Sequence, residues 1–174
     1  GPRELHDAYR VDKGQKPTHK QVLRAFRMLN EHRVHCDVLC VLHDRNVRHP
    51  TQVYRFFKEL GVEFLQFLPL VERENGGVSS RTVPAAAFGA FLSAVFDEWV
   101  RNDVGKIAIQ IFDEAARPQA GLEHSLCIFR ETCGDVPVVE HNGDFFSCDH
   151  FVEPAYRVGN IGEKHLGELV ESPA

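Results

Sequence analysis

No run of about 20 apolar residues occurs along the chain, so the sequence offers no candidate for a membrane-spanning helix. Positive charge is also short: 20 Lys and Arg against 25 Asp and Glu give a formal net charge of -5 and a pI near 6.1. Without a basic field to steer onto phosphate, nucleic-acid binding is a poor expectation. The opening "GPRELHDAYRVDKG" has neither the basic stretch nor the apolar core of a signal peptide, and it lacks an initiator Met. It reads as the middle of a longer, cytoplasmic protein. Cysteine is sparse and odd in number, five in all, which argues against a secreted disulfide framework and for reduced thiols or metal ligands.

What is present suits a folded α/β domain. The chain has 174 residues, 43% hydrophobic, with 13 Phe to build a core. In "PTHKQVLRAFRMLNEHR", Val22, Leu23, Phe26 and Leu29 recur at helical spacing, and Thr18 with Gln21 has the spacing of a capping box. "VHCDVLCVL" has the length and composition of a strand. "HPTQVYRFFKELG" is a second helix, with Pro50 in its first turn and Gly61 as its stop. "VEFLQFLPLV" suits a strand buried on both faces of a parallel sheet. After a polar loop, "ERENGGVSSRT", a long helix carries Phe88, Phe91, Leu92, Val95, Phe96 and Trp99 as a core stripe. "KIAIQIF" then reads as a third strand.

Such alternation implies βαβ units and a parallel sheet or barrel with its chemistry at the carboxyl ends of the strands, here "VLHDRN", "FLPLVE" and "IFDE". Composition changes after Phe112, so residues 1–112 are expected to form a βα scaffold and 113–174 a cysteine-bearing extension. From Val136 the pattern is a hairpin: "VPVVE", the turn "HNGD", then "FFSCDHF".

The cysteines fall into two groups. Cys36 and Cys40, four apart in the expected strand, point to one face roughly 13 Å from each other and cannot share a metal; small buried core residues are the plain reading. Cys127, Cys133 and Cys148, with five and then fourteen residues between them, lie where backbone can wrap a metal, and thiolates are the ligands that iron-sulfur centres and zinc prefer. Spacing leaves both readings open. Asp149, beside Cys148, is either a solvated turn residue or a base. Arg10 is either a surface residue or a partner for a carboxylate. Gln66 and Gln110, which interrupt apolar runs, are hydrogen-bonded inside or face a cofactor. His141 and His150 are read as neighbours of the cysteine hairpin rather than as ligands.

The stretches "GPRELHDAYRVDKGQKPTHKQVLR", "YRFFKELGVEFLQFLPLVE" and "CGDVPVVEHNGDFFSCDHFVEPAYRVGNI" resemble the anaerobic sulfatase-maturating enzymes, radical S-adenosylmethionine (AdoMet) proteins with a C-terminal SPASM extension. The most specific piece is Cys133, nine residues, Gly143, four residues, Cys148, similar to the opening half of the SPASM cysteine pattern. The resemblance implies an α/β fold: the C-terminal part of a partial (β/α)6 TIM-like barrel over residues 1–112, then, over 113–174, the first hairpin of a truncated SPASM domain. It implies that Cys127, Cys133 and Cys148 are three ligands of an auxiliary [4Fe-4S] cluster, that Asp149 is the base, and that Arg10 holds the carboxylate of S-adenosylmethionine.

The reaction so implied is oxidation of a Cys or Ser in an unfolded sulfatase polypeptide to Cα-formylglycine. A 5'-deoxyadenosyl radical takes a β-hydrogen, the base takes a proton, the auxiliary clusters take the remaining electron, and the implied partner is an electron donor such as flavodoxin or ferredoxin. The three-cysteine motif that binds the radical-generating cluster has no counterpart here, and neither does the second half of the SPASM pattern. An internal fragment, inactive alone, is the expectation. Another SPASM peptide maturase, or a non-catalytic zinc module built on the same three cysteines and a His, are the alternatives.

Overall fold

The two apolar runs bounded by helix signals become the centre of a parallel sheet. A computed structural model describes residues 1–132 and 136–172, which divide into two compact units, Gly1–Ala115 and Ala116–Ala174. The first unit opens with the short helix α1 (Arg3–Asp7), then α2 (His19–Glu31), β1 (Val38–Leu42), α3 (Pro50–Glu59) and β2 (Phe64–Pro69). A small hairpin, β3 (Arg73–Glu74) and β4 (Gly77–Val78), precedes α4 (Ala85–Asn102), β5 (Ala108–Ile109) and α5 (Gln110–Ala116).

The sheet order is β1-β2-β5, all parallel, with Val38 opposite Leu65, Leu42 opposite Pro69, and Phe64 opposite Ala108. β1 alternates: Cys40 and Leu42 turn into the core, while Leu39 and Val41 are exposed. Tyr54, Phe91, Leu42, Leu65, Ile109 and Val95 are fully buried, and burial of each such side chain contributes about 1.5–3 kcal/mol. α3 starts with Pro50 at its first turn and stops at Gly61, whose φ of 79° only glycine adopts readily. Its buried face is Val53, Tyr54 and Phe57. Tyr54 donates its hydroxyl to Asp103 Oδ2 at 2.8 Å, and Lys58 Nζ lies 2.7 Å from Asp103 Oδ1, locking α3 to the end of α4.

Several expectations for this unit need correction. "KIAIQIF" contributes only Ala108 and Ile109 to the sheet; from Gln110 the chain is helical, with Phe112 buried two residues on. Gln110 therefore opens a helix and interrupts no strand. Cys36 lies ahead of β1, half-buried, its thiol donating to Val34 O at 3.4 Å, so it is not a core residue as Cys40 is. Burial pushes the Cys40 thiol up to about 11. The stripe on α2 buries Phe26 only in part and leaves Val22 and Leu29 exposed. Phe96, on the α4 stripe, is 42% exposed although its ring meets Phe112. The polar loop after β2 folds as the β3-β4 hairpin, turning at Asn75 and Gly76 with φ of 49° and 79°.

The second unit is a three-stranded antiparallel sheet, β6 (Val138–Val139), β7 (Asp144–Phe146) and β8 (Arg157–Asn160), followed by α6 (Leu166–Val170). Its core holds Phe145, Phe146, Cys148 and Leu169. The third strand, β8, was absent from the sequence expectation, and the second ends at Phe146 rather than running to Phe151. Among the described residues no helix is long and apolar enough to cross a membrane.

Candidate functional site

In the second unit the site is built from the hairpin outward. Val139 pairs with Phe145, and the Glu140 N–H donates to Asp144 O at 2.8 Å, leaving His141, Asn142 and Gly143 as the loop. Gly143, at φ 87°, takes the left-handed position that such three-residue loops require. Asp144 anchors the turn: it accepts from Arg157 Nε, from Asn160 Nδ2 at 3.0 Å and from Asn142 Nδ2 at 2.8 Å. Arg157 first, then Asn160, hold its carboxyl below the usual carboxylate range.

The ladder with β8 shifts register between Phe145 and Phe146, and Cys148 then meets Val136 in an isolated bridge. A bend follows, closed by the Phe151 N–H on Cys148 O at 3.2 Å. Cys148 is thereby turned inward, 6% exposed, while Asp149 and His150 stay at the surface. Cys148 Sγ lies 3.7 Å from Asp149 Oδ1 and 3.8 Å from His150 Nδ1, and accepts from the His150 N–H at 3.4 Å. His150 Nδ1 is 3.0 Å from Asp149 Oδ1. Ligand-capable atoms of these three residues all lie within 4.8 Å of one another. An N–H aimed at sulfur is one of the means by which a protein tunes an iron-sulfur ligand, and a surface carboxylate beside that sulfur is within reach of a substrate held there.

Of the other expected residues, Cys127 opens a single tight turn, Cys127–Phe129, and is half-buried. Among the described residues it does not join the Cys148 group. Cys133 lies outside the described residues. His141 is exposed at the hairpin loop, 3.6 Å from Glu140, and His150, read from sequence as a neighbour of the cysteine hairpin, has its Nδ1 3.8 Å from the sulfur.

In the first unit, Arg10 is exposed on the loop between α1 and α2. Its neighbour Tyr9 reaches the carboxyl end of β1: the hydroxyl donates to Asp44 Oδ1 at 3.0 Å, and the ring stands edge-on to His43 with centroids 4.7 Å apart. The Arg45 and Arg81 guanidinium carbons lie 4.9 and 5.7 Å from the same ring centroid. Arg81 pairs with Glu72, and its backbone carbonyl accepts from the Asp44 N–H at 3.1 Å, tying the segment after the β3-β4 hairpin over the strand ends. Burial holds the His43 imidazole below its ordinary value, against the pull of Asp44. Gln66 is half-buried in β2.

The sequence reading passed over Tyr9, His43, Asp44 and Arg81 as individuals. The available signal was positional, since "HDRN" and "VE" follow directly on apolar strands.

A parallel α/β sheet followed by a cysteine-bearing antiparallel unit is the setting for comparison with known proteins. Residues 127–174 match SPASM, described as an iron-sulfur cluster-binding domain. The chain as a whole is similar to the anaerobic sulfatase-maturating enzymes. It is 38% identical over 188 residues to the serine-type enzyme of Bacteroides thetaiotaomicron, covering 99% of this chain and 45% of that protein. With the cysteine-type enzyme of Clostridium novyi it shares 30% identity, covering 99% of this chain and 47% of the relative. Solved structures of native anSMEcpe with bound AdoMet, and with AdoMet and Cp18Cys peptide, superpose with TM-scores of 0.86 at 31% identity over 99% of this chain and 48% and 49% of theirs. The chain thus spans about half the length of the relatives it matches.

Proposed function

We propose that this chain is part of a radical AdoMet enzyme that oxidises a Cys or Ser of a sulfatase polypeptide to Cα-formylglycine. The observation that carries the proposal is the bend at Cys148, where an inward thiol that accepts an amide N–H sits 3.7 Å from an outward carboxylate. Cys127, Cys133 and Cys148 would hold an auxiliary [4Fe-4S] cluster; in support, thiolates are the ligands such clusters take, and Cys148 is buried just beyond the hairpin. When bound, AdoMet and the clusters supply the hydrogen-abstracting radical and the path for electrons. The protein's own residues do the rest. Asp149, exposed and fixed by the Cys148–Phe151 bend, accepts the proton of the substrate thiol or hydroxyl. Arg10 pairs with the AdoMet carboxylate through its planar fork of donors.

In this reading residues 1–112 are the last strands and helices of a partial (β/α)6 barrel, and 113–174 begin the SPASM domain. β1 stands at one end of the three-stranded sheet, and its backbone edge, which meets no strand among the described residues, supports further strands on that side. The substrate is an unfolded sulfatase segment, in keeping with the peptide bound to the solved relative, and a flavodoxin or ferredoxin serves as electron donor. The chemistry is tested by anoxic reconstitution of the full-length protein carrying this segment. Iron with sulfide, and a peptide lighter at its target residue by the mass of the aldehyde conversion, support the proposal. Zinc in place of iron, with the peptide unchanged, overturns it in favour of a structural metal module.

A further inference from the structure

Arg10 has no regular element of its own, yet the chain around it is fastened at three points. The expected capping box of α2 is not made: the Thr18 side chain gives no hydrogen bond to the helix it precedes. Its hydroxyl instead donates to Arg10 O at 2.8 Å, and its N–H donates to the same carbonyl at 3.3 Å. The helix end left uncapped is taken by Asp7, whose Oδ1 accepts the His19 N–H at 2.9 Å from twelve residues away. Burial would raise the Asp7 carboxyl, but the His19 N–H and the His6 imidazole hold it below the usual range. The two residues have exchanged partners: Asp7 of α1 caps α2, and Thr18 at the start of α2 holds the loop after α1.

The loop in between is closed on itself. Val11 bridges Pro17, the Asp12 N–H donates to Lys16 O at 2.9 Å, and Asp12 Oδ1 accepts the Gly14 and Lys16 N–H groups at 2.8 and 2.9 Å. On the other side, Tyr9 is pinned to Asp44 and His43 just beyond the carboxyl end of β1. Arg10 is held at its carbonyl from one direction and through its neighbour from the other.

Resting on the assignment of Arg10 to the AdoMet carboxylate, we propose that Thr18 and Tyr9 are positioning residues for it. They fix the Arg10 backbone at the carboxyl end of β1, so that the guanidinium meets the carboxylate without first ordering the loop. Removing the Thr18 hydroxyl loses one net hydrogen bond of about 1 kcal/mol, or roughly fivefold in affinity. The test is equilibrium binding of AdoMet to the anoxically purified full-length protein, with iron content and Tm measured on the same samples.

Thr18→Val and Tyr9→Phe are each expected to weaken AdoMet binding on the order of fivefold with iron content unchanged, and Thr18→Ser to restore it. Arg10→Ala weakens binding further, and Thr18→Val adds nothing in the Arg10→Ala background, because its effect passes through Arg10. A Thr18→Val protein that binds as the parent does, or an undiminished Thr18→Val effect in the Arg10→Ala background, overturns the positioning role while leaving Arg10 in place. Parental binding by Arg10→Ala overturns the Arg10 assignment, and the positioning role with it.

Discussion

Single residues in this chain are held by specific partners whose removal has calculable consequences. Asp103 is 3% exposed, yet it serves both Tyr54 and Lys58. Burial raises its carboxyl, but the Lys58 and Tyr54 hydrogen bonds outweigh that and leave it below its ordinary value. Its contribution is therefore present above the unfolded carboxyl value, about 4, and is lost as pH falls through the lower folded value. Asp103→Ala strands a buried hydroxyl and a partly exposed ammonium, and is expected to cost about 3 kcal/mol at pH 7. Urea denaturation should show that cost, and should show the gap between the two proteins narrowing below pH 4. A gap constant down to pH 2 would contradict the assignment.

Gly143 is a second such position. A Cβ there would meet Asn160 Oδ1 at 2.9 Å on a backbone already at φ 87°, so Gly143→Ala should destabilise the second unit by about 1–2 kcal/mol. Loss of hydrogen-exchange protection at Phe145 and Gly159, with none at Leu65, would register it.

At the scale of elements, legibility in the sequence followed the reach of the interactions. α3 was visible because its start and stop are local: Pro50 presets the first turn, and Gly61 supplies the left-handed exit. The cap of α2 was not, because the residue that caps it lies twelve positions back, and no window around Thr18 contains Asp7. "KIAIQIF" misled because Ile107, Ile109 and Ile111 alternate like a strand, while Ile109 and Phe112, three apart, are the pair that a helix start also buries. The β3-β4 hairpin went unread since strands of two residues carry no period at all. In the second unit the Asn-Gly turn was legible, but β8 was not, because "RVGN" is polar and glycine-bearing.

β1 carries its own prediction. Leu39 and Val41 present an apolar face on an edge strand, a template for association. The chain expressed alone is expected to self-associate, and Val41→Lys to raise the monomer fraction in sedimentation. Equal sedimentation profiles for the two would show that this edge is not the contact.

At the scale of the whole molecule, the proposed site residues fall in two units: Arg10 on the loop between α1 and α2 of the first, Cys148 and Asp149 in the second. The candidate site was partly legible: Cys148 and Asp149 adjoin in sequence, so their proximity needed no fold. Inward thiol and outward carboxylate did need it, being set by the register shift at Phe145 and Phe146 and by the bend that closes on Phe151. The chain alone lacks the three-cysteine motif for a radical cluster, so reconstitution with iron, sulfide and dithionite is expected to yield no 5'-deoxyadenosine from AdoMet. Detection of that product would contradict the proposed division of parts.

The measurement that bears most directly on the proposed function is made on the full-length protein carrying this segment, comparing Asp149→Asn with Cys148→Ala for peptide turnover and iron content. An amide matches the carboxylate in shape but cannot take the substrate's proton. Asp149→Asn is therefore expected to keep its iron and lose on the order of 10² to 10⁴ in formylglycine formation, while Cys148→Ala loses iron and turnover together. Parental turnover by Asp149→Asn at full iron content would make Asp149 a surface residue of the bend and contradict its assignment as the base.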